Sequence, residues 1–391
     1  MKVAFVIPFF GAQASGGAEA LCRDTATHLA QSGISVEILT TRALDLAHGW
    51  DRDHHPAGTT QEDGLTVHRF PADRFDHDRF NRLNSRILAG EAVSLDDEND
   101  FLAMHCSSVP LFEHLADAGA DFDWLCFIPY LFGTTVHGSR LWPEKTILIP
   151  CLHDEGYARL RAMPPLFQRA RRIVFNARAE QRLCNDLYRD LDARQVLLGA
   201  GVDTDLAADG ARFRRKYGIE GPFVLYAGRK AAGKNVHTLI RYFSHYKQRT
   251  RNALRLILIG PAEIPIPPKA REHILDLGFV PRADKNDAYS AATVLCQPSV
   301  NESFSIVMME SWMSGTPCLV NGRCAVTREH AVGSGGGLIF ENYADFEGCL
   351  DYLLEHEDMR DRMARAGRAY VLENCTWQSI VARYREQVFG A

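Results

Sequence analysis

The stretch "FVLYAGRKAAGKNVHTLIRYFSHYKQR" (residues 223–249) contains, in order, an apolar run, a glycine-containing turn and an amphipathic segment. The apolar run is typical of a strand in a parallel sheet that is covered on both faces. Val236, Leu239, Ile240 and Phe243 recur at helical spacing, so the second half is predicted to form a helix with one buried face. A strand that leads into a helix of this length predicts a right-handed crossover and a parallel α/β sheet.

The same alternation continues toward the C-terminus. Apolar segments of strand length recur there, separated by segments of helical periodicity or by turn residues. We predict that they form one sheet with the strand at 223. The segments are "LRLILIG" (254–260), "ILDLGFV" (274–280), "TVLCQPS" (293–299), "TPCLVN" (316–321) and "GGGLIF" (335–340).

A second series of strands and helices precedes residue 200. The apolar strand "KVAFVIPF" (2–9), a glycine-rich turn, a helix and the strand "ISVEILTT" (34–41) form one predicted β-α-β unit. Later strands are predicted at 146–153 and 171–176. Residues 43–110 are rich in Asp, His and Arg without clean periodicity, and we interpret them as loops and helices laid over the sheet.

The two series predict two doubly wound α/β domains. Glycine and turn-forming residues concentrate in "GAGVDTD" and "KYGIEGP", between residues 199 and 222. We therefore predict an N-terminal domain over 1–205 and a C-terminal domain over 206–375. Ligands bind such sheets outside the carboxyl ends of the strands, so we expect a ligand in a cleft between the domains.

Composition excludes several classes of protein. Of the 391 residues, 46% are hydrophobic and 24% are charged, which is typical of a water-soluble globular protein of two domains. The formal net charge of -5 argues against a nucleic-acid partner, although the basic cluster "QRARR" (168–172) is a candidate contact patch. The ten cysteines show no C-x-x-C pair and no metal-ligand spacing, which favours reduced thiols and a cytoplasmic location.

The N-terminus loosely resembles a signal peptide, but the run from Val3 to Phe10 is short and contains Pro8. We interpret it as the first strand. The longest apolar run, "WLCFIPYLF" (124–132), is strand-sized, well below the roughly 20 apolar residues of a spanning helix. Any contact with a membrane is therefore expected to be peripheral.

Two cations follow the strand at 223. Arg229 and Lys234 lie in the loop after it, where Gly228 and Gly233 allow close approach of the backbone. Two cations at the carboxyl end of a strand suit a pyrophosphate, because the arginine fork can hold two oxygens. The alternative is a pair of solvated surface charges.

A second loop, "PSVNESFS" (298–305), should leave the same sheet edge and lead into a helix. Backbone amides around Ser303 to Ile306 would favour phosphate oxygens. Glu302 can point toward hydroxyl groups, and Glu310 can reach another part of the same ligand, such as a ribose diol. Alternatively, Glu302 complements the helix dipole and Glu310 is a salt-bridged helix residue.

Six motifs in this order resemble family 4 of the retaining glycosyltransferases with the GT-B fold, over nearly the whole chain. The resemblance implies two Rossmann-like domains, with the C-terminal helix (376–391) packing back on the first domain. The motifs are "SGGAE" (15–19), "LHD" (152–154), "GAGVD" (199–203), "AGRKAAGK" (227–234), "GFV" (278–280) and "NESFSIVMME" (301–310).

The resemblance also implies roles for single residues. Arg229 and Lys234 would neutralise the diphosphate of the donor, and Glu302 and Glu310 would bind the transferred sugar and the ribose. His153 would contact the sugar or the developing charge. Donor-binding positions are the backbone of Gly16 and Gly17 near the phosphate, Gly228, the main chain from Gly278 to Val280 beside the nucleobase, and Ser303, Phe304, Ser305 and Ile306.

The chain departs from the family at two places. Family members often have E-G-F-G and K-G, whereas this chain has "ESFS" at 302–305 and Lys234–Asn235. Serines at both glycine positions would add side chains near the donor sugar, which leaves the identity of that sugar open.

The function predicted from the resemblance is transfer of a sugar from a UDP- or GDP-sugar to an acceptor hydroxyl, with retention. The expected acceptor is a polysaccharide or lipid-linked glycan. We expect no metal and no cofactor, since cations can stabilise the leaving group, and we assign "DTD" (203–205) and "DRD" (51–53) to turns. Front-face attack is the preferred retaining mechanism, and the alternative is a double displacement with Glu302 as nucleophile.

Two other functions remain open, and a third is disfavoured. A nucleotide-sugar 2-epimerase would share the nucleotide contacts without needing an acceptor. A non-catalytic protein would bind the nucleotide sugar without turnover. A nicotinamide-dependent oxidoreductase is disfavoured, because Gly11, Gly16 and Gly17 do not form G-x-G-x-x-G and no acidic residue ends the second strand.

Overall fold

The computed structural model describes residues 1–11, 14, 16–46, 48–191 and 194–390. The chain forms two compact units. The N-terminal unit consists of Met1–Ala200 together with Gln378–Ala391, and the C-terminal unit consists of Gly201–Trp377. Each unit contains one largely parallel sheet with helices, so the predicted pair of doubly wound α/β domains is confirmed.

The described part of the N-terminal unit has eight strands in the order β3-β4-β2-β1-β5-β6-β7-β8. All neighbouring strands are parallel except β3 and β4. The strands are β1 (Lys2–Ile7), β2 (Ser35–Thr41), β3 (Gly58–Glu62), β4 (Leu65–Phe70), β5 (Trp124–Phe127), β6 (Thr146–Leu148), β7 (Arg172–Phe175) and β8 (Gln195–Leu197).

Helices cover this sheet. They are α1 (Gly17–Gln31), α2 (His77–Leu88), α3 (Leu95–Met104), α4 (Val109–Ala118), α5 (Gly133–Gly138), α6 (Met163–Arg169) and α7 (Arg178–Leu187). The last helix, α15 (Trp377–Arg383), continues as a π-helical turn over Tyr384–Val388. Arg383 Nη1 donates to the carbonyl of Leu198 at 2.8 Å, which ties this segment to the end of the N-terminal sheet.

The interpretation of residues 43–110 as loops and helices was incomplete. Strands β3 and β4 lie in this region and extend the sheet at its edge. Buried and partly buried residues alternate along β4, which carries Thr66, His68 and Arg69 on an apolar framework. Such a strand lacks the continuous apolar run of the central strands, and this is why the sequence pattern did not reveal it.

The described part of the C-terminal unit has six strands, all parallel, in the order β11-β10-β9-β12-β13-β14. The strands are β9 (Phe223–Ala227), β10 (Arg255–Ile259), β11 (Ile274–Asp276), β12 (Val294–Gln297), β13 (Cys318–Asn321) and β14 (Gly337–Phe340). The helices are α8 (Gly210–Tyr217), α9 (Val236–Arg249), α10 (Arg282–Ala291), α11 (Ile306–Met313), α12 (Ala325–Ser334), α13 (Tyr343–Glu355) and α14 (Glu357–Asn374).

Helix α9 forms as predicted from its apolar periodicity. Val236, Leu239, Ile240 and Phe243 are buried on one face. The sheet reverses its winding direction beside β9, because β10 and β11 lie on one side of it and β12 to β14 on the other. The switch point of the C-terminal sheet, where ligands bind in folds of this type, therefore lies between β9 and β12.

An aromatic cluster surrounds His105 in the core of the N-terminal unit. The imidazole is 4% exposed. Its ring centre lies 4.6 Å from that of Phe132, 5.1 Å from that of Phe101 and 5.4 Å from that of Trp50. Burial lowers the pKa of His105 to about 3, so the folded protein holds this ring in its neutral form at neutral pH.

The buried His105 predicts a pH dependence of stability. The unfolded state takes up a proton on this ring near pH 6.5, whereas the folded state does not until about pH 3. The free energy of unfolding should therefore fall by about 2 kcal/mol between pH 7 and pH 5 through this group alone. His105→Phe should show a shallower fall in urea unfolding, and the exposed His54→Gln should keep the wild-type slope. Equal slopes for wild type and His105→Phe would contradict the assignment.

Candidate functional site

The loops after β9 and β12 leave neighbouring parallel strands at the same edge of the C-terminal sheet. Arg229 and Lys234 lie in the first loop, and Glu302 lies in the second. Lys234 Nζ lies 2.6 Å from Glu302 Oε1, and their side chains are 31% and 9% exposed. The structure thus brings together two of the predicted cationic and acidic positions at the switch point.

Polar side chains at the end of β12 and in the loop after it hold this ion pair in place. Gln297, the last residue of β12, lies with its Nε2 3.4 Å from Glu302 Oε1 and 3.1 Å from Ser305 Oγ. Ser299 Oγ donates to Gln297 Oε1 at 3.1 Å. Because Gln297 and Ser299 are buried, the position of Glu302 is fixed from within the unit.

Arg229 has a different environment from Lys234. Among the described residues, no carboxylate lies within ion-pair distance of Arg229. Its Nε is buried and has no hydrogen-bond partner in that same set of residues. Its carbonyl accepts a hydrogen bond from Tyr226 Oη at 2.8 Å, which fixes the backbone. A cation held this way is available to bind an anion.

Helix α11 begins directly after the acidic loop. Its N-cap, Ser305, has a left-handed backbone with φ of 70° and makes no side-chain cap bond. The Ser305 hydroxyl is instead buried against Gln297. The first-turn amides of the helix are therefore not occupied by the cap side chain. The prediction placed the serine side chain near the donor sugar, but the structure turns the Ser305 hydroxyl back toward the sheet.

Two other residues of this loop have different environments. Phe304 is 4% exposed, and its ring packs edge-on against His330 with ring centres 5.1 Å apart. Ser303 is partly exposed, as is Ile306 at the first position of α11. Phe304 therefore anchors the loop in the unit, while Ser303 and Ile306 border solvent.

Asn235 stands where related proteins often have the glycine of K-G. It has a left-handed backbone, with φ of 55°, in the position that precedes α9. Asparagine tolerates this conformation better than other residues with a side chain. Its Nδ2 donates to the carbonyl of Pro298 at 3.0 Å and so joins the loops after β9 and β12. Asparagine therefore fits a left-handed position where the related family often has glycine.

Glu310 is buried at 7% exposure and has two partners within the unit. Its Oε1 lies 2.7 Å from Lys285 Nζ, and its Oε2 accepts a hydrogen bond from Tyr289 Oη at 2.9 Å. The salt bridge proposed as an alternative therefore exists. The binding of a ribose by Glu310 stays a prediction, and each carboxylate oxygen has capacity for a further hydrogen bond.

Glycine turns form the remaining edge of the site. Gly228 and Gly278 follow β9 and β11 with φ of 151° and 65°. Gly260, after β10, donates its N–H to the carbonyl of Gly278 at 2.7 Å. Val280 is 8% exposed, whereas Phe279 is 77% exposed. The segment predicted to lie beside a nucleobase therefore presents an aromatic ring to solvent.

The N-terminal unit carries the other predicted residues. Gly16 precedes α1 and Gly17 is its first residue, while Ser15 of the same motif lies outside the described residues. A Cβ atom at Gly16 would lie 1.9 Å from Glu19 Oε2, so a side chain there would require the Glu19 carboxylate to move. A Cβ atom at Gly17 would meet no described atom within 4 Å, which is compatible with the predicted approach of a ligand.

His153 follows β6, and its side chain is 28% exposed. Its Nδ1 lies 3.9 Å from Glu155 Oε1, which also accepts a hydrogen bond from Tyr130 Oη at 2.9 Å. Burial raises the pKa of Glu155, against the lowering effect of the Tyr130 hydrogen bond. No pattern in the sequence selects Glu155 or Tyr130, although Glu155 lies only two residues after the histidine.

A buried acid that the sequence analysis missed supports the turn before His153. Glu180, at 1% exposure in the first turn of α7, accepts the N–H of Leu152 at 2.7 Å and that of Asn176 at 2.8 Å. Burial raises the pKa of Glu180 to about 8, against the lowering effect of these amides. Glu180 thus joins the carboxyl ends of β6 and β7, the only sequence signal being a glutamate in a first helical turn.

The two D-x-D segments take part in internal contacts. Asp203 pairs with Arg282 and accepts a hydrogen bond from Trp377 Nε1 at 3.0 Å. Asp53 pairs with Arg42. Within the described ranges, no group of three or more His, Cys, Asp or Glu side chains is arranged as a set of metal ligands. In the same ranges, no helix is both long and apolar enough to cross a membrane.

Comparisons with known proteins agree with this architecture. Residues 210–370 match the family Glycosyl transferases group 1. A D-inositol 3-phosphate glycosyltransferase of Acidothermus cellulolyticus is 29% identical over 244 residues, 56% of this chain and 53% of that protein. The chain thus matches about half the length of this relative. The protein of the same name from Stackebrandtia nassauensis is 25% identical over 93% of this chain and 84% of its own length.

A solved structure shows the same fold. The structure of Anabaena HepE in complex with UDP and glucose has a TM-score of 0.73 to this chain at 16% sequence identity, covering 100% of both chains. At this identity the likeness concerns the fold. The chain has the GT-B fold of two Rossmann-like domains.

The role of Glu180 can be tested by substitution. Glu180→Ala leaves two buried backbone N–H groups without acceptors, so we expect the free energy of unfolding to fall by about 2–5 kcal/mol. The exposed Glu113→Ala, in the same unit, should change it by less than about 0.5 kcal/mol. Urea unfolding measures both variants. A similar stability for Glu180→Ala and Glu113→Ala would refute a supporting role for this carboxylate.

Proposed function

We propose that this chain, whose residues 210–370 match the family Glycosyl transferases group 1, transfers a sugar from a nucleoside diphosphate sugar to an acceptor hydroxyl, with retention of configuration. The observation that carries the proposal is the meeting of Lys234 and Glu302 at the switch point of the C-terminal sheet, beside Arg229 and the start of α11. Cations and helix amides at such a point suit a diphosphate.

In this mechanism the bond between the anomeric carbon and the diphosphate oxygen breaks, and the acceptor oxygen forms a new bond to that carbon. Negative charge then develops on the nucleoside diphosphate. Arg229, Lys234 and the first-turn amides of α11 stabilise this charge, and fixed groups of this kind commonly supply the largest catalytic effect. The proton of the acceptor hydroxyl passes to the leaving phosphate oxygen on the same face.

Glu302 binds hydroxyl groups of the transferred sugar and Glu310 binds the ribose. The ion pair with Lys234 and the contact with Gln297 hold Glu302 in place. Lys285 and Tyr289 hold Glu310 in the same way. Carboxylates fixed by such partners lose little conformational freedom on binding hydroxyl groups. His153 contributes from the N-terminal unit by contacting the sugar or the developing charge.

The donor is a UDP- or GDP-sugar. HepE, whose fold this chain shares, was solved with UDP and glucose, which supports a nucleotide of this type. The acceptor is a hydroxyl of a polysaccharide or of a lipid-linked glycan in the cytoplasm, and any membrane contact is peripheral. The relatives named D-inositol 3-phosphate glycosyltransferases make a phosphorylated cyclitol a second acceptor to assay.

The reaction needs neither metal nor cofactor in this proposal, because cationic side chains stabilise the leaving group. Transfer should continue in the presence of a chelator. Retention proceeds by front-face attack. A covalent glycosyl adduct trapped on Glu302 would contradict this mechanism and indicate a double displacement. The anomeric configuration of the product, read by NMR, tests retention itself.

Substitution of the proposed site residues tests the function. Arg229→Ala and Glu302→Ala should each reduce kcat/KM for transfer by about 10²–10³-fold, the effect of removing one group that stabilises the transition state. The assay follows product formation from UDP- and GDP-sugars. The exposed Arg251→Ala, in the same unit, should retain wild-type activity.

The same assay separates the alternatives. Incubation with donor alone should yield no 2-epimer, whereas an epimerase would form one. Near-normal transfer by Arg229→Ala or Glu302→Ala would contradict the assignment of the site. Nucleotide binding without turnover across the acceptors would favour a binding protein.

A further inference from the structure

Lys230 is a buried cation next to the proposed diphosphate-binding Arg229. Its side chain has 0% exposure. A lysine ammonium without solvent is costly unless its donors are all satisfied by acceptors. Its neighbours in the chain, Arg229 and Ala231, are both partly exposed. The burial of Lys230 is therefore specific to its own side chain and needs an explanation.

Three acceptors surround the ammonium. Nζ donates to the carbonyl of Gly260 and to the carbonyl of Ala262, the latter at 3.0 Å. The third partner is Asp276 Oδ1, also at 3.0 Å. Three acceptors match the three N–H donors of a lysine, so the group is fully satisfied. The opposite charge of Asp276 offsets part of the cost of burial.

These acceptors lie at the carboxyl ends of two neighbouring strands. Gly260 and Ala262 follow β10, Asp276 ends β11, and Lys230 itself follows β9. Main-chain bonds repeat the connection, since the N–H of Lys230 donates to the carbonyl of Pro261 at 3.1 Å. One side chain thus joins the loops after three adjacent strands.

The network extends to the segment proposed to lie beside the nucleobase. Asp276 Oδ1, the atom that pairs with Lys230, also accepts the N–H of Gly278 at 2.9 Å. The carbonyl of Gly278 accepts the N–H of Gly260 at 2.7 Å. Two hydrogen bonds therefore hold Gly278, and both run through groups that contact Lys230.

The loops are packed backbone to backbone at this point. A Cβ atom at Gly260 would lie 2.1 Å from the carbonyl oxygen of Gly228. Gly260 also has a φ of 124°, a conformation that side chains disfavour. With no side chain between them, a shift of the loop after β10 moves the loop that carries Arg229.

We propose that Lys230 is a positioning residue that holds the nucleobase segment, Gly278 to Val280, at a fixed distance from the diphosphate-binding Arg229. The inference rests on the proposed function. Lys230 is enclosed by the loops and does not touch the donor itself. Without its ammonium, Asp276 and two carbonyls lose a shared partner, and the base segment can shift relative to the diphosphate site. The affinity that depends on spanning both positions is then lost.

The experiment compares a ligand that spans both positions with one that does not. UDP and GDP span the base and diphosphate positions, whereas inorganic pyrophosphate occupies only the second. In Lys230→Met, we expect binding of the nucleotide that wild type prefers to weaken at least tenfold and pyrophosphate inhibition to change less than threefold. Donor KM should rise to the same extent, with kcat within about threefold of wild type.

Two further variants make the comparison decisive. Asp276→Asn keeps an acceptor for Gly278 but removes the negative charge, so it should weaken nucleotide binding less than Lys230→Met does. Lys247 donates hydrogen bonds to the carbonyl and the side-chain oxygen of Asn252 in the same unit, and it shares none of the acceptors of Lys230. Lys247→Met should therefore leave nucleotide binding unchanged. All assays are run at least about 15 °C below the melting temperature of each variant, so that folded proteins are compared.

The outcomes separate this inference from the proposed function. If wild type binds neither UDP nor GDP, the proposed function fails. If wild type binds a nucleotide and the folded Lys230→Met binds it equally well, only the positioning role fails. If Lys230→Met weakens nucleotide binding and pyrophosphate binding equally, the positioning role is overturned. The same holds if Lys247→Met weakens nucleotide binding as much as Lys230→Met does. Should Lys230→Met not fold, the nucleotide-to-pyrophosphate ratio of Asp276→Asn decides, and an unchanged ratio contradicts the inference.

Discussion

The candidate site of the C-terminal unit depends on one constraint, the position of β9 between β10 and β12. Loops that follow neighbouring parallel strands must leave the sheet side by side, whatever their distance along the chain. Lys234 and Glu302 are separated by 68 positions and meet at 2.6 Å for this reason. The same constraint places Lys230 beside the loops after β10 and β11. Any strand order that separated β9 from β12 would remove the ion pair and the site with it.

Three of the lysine–carboxylate pairs described in this unit have at least one side chain that is 9% exposed or less. Lys230 with Asp276, Lys234 with Glu302, and Lys285 with Glu310 are all within 3.0 Å. Buried pairs of this kind contribute little net stability, because desolvation offsets most of the attraction. Their value is geometric, since each pair fixes a carboxylate or a loop in one place. Arg229 stands apart as a cation without such a carboxylate among the described residues.

The backbone of the site accommodates residues where the related family often has glycine. Ser305 and Asn235 both adopt left-handed conformations, with φ of 70° and 55°. For serine this conformation carries strain, which the hydrogen bond from Gln297 to its hydroxyl offsets. In the N-terminal unit, buried Glu180 and half-buried Glu155 fix the turn that carries His153. Supporting acids in both units thus hold the residues that the motifs point to.

The sequence by itself determined the two parallel α/β sheets and the residues at their carboxyl edges, because apolar runs, helical periodicity and turn residues are local signals. It did not reveal β3 and β4 at the edge of the N-terminal sheet, because their polar residues interrupt the apolar pattern of a strand. Only the tertiary structure decided which partner each charge takes. The tertiary structure pairs Glu310 of α11 with Lys285 of α10, and it pairs Lys230 with the carbonyl of Gly260 and with Asp276. It also turns the Ser305 hydroxyl toward Gln297. Such contacts follow from the order of strands in the sheet, and no local pattern of residues encodes that order.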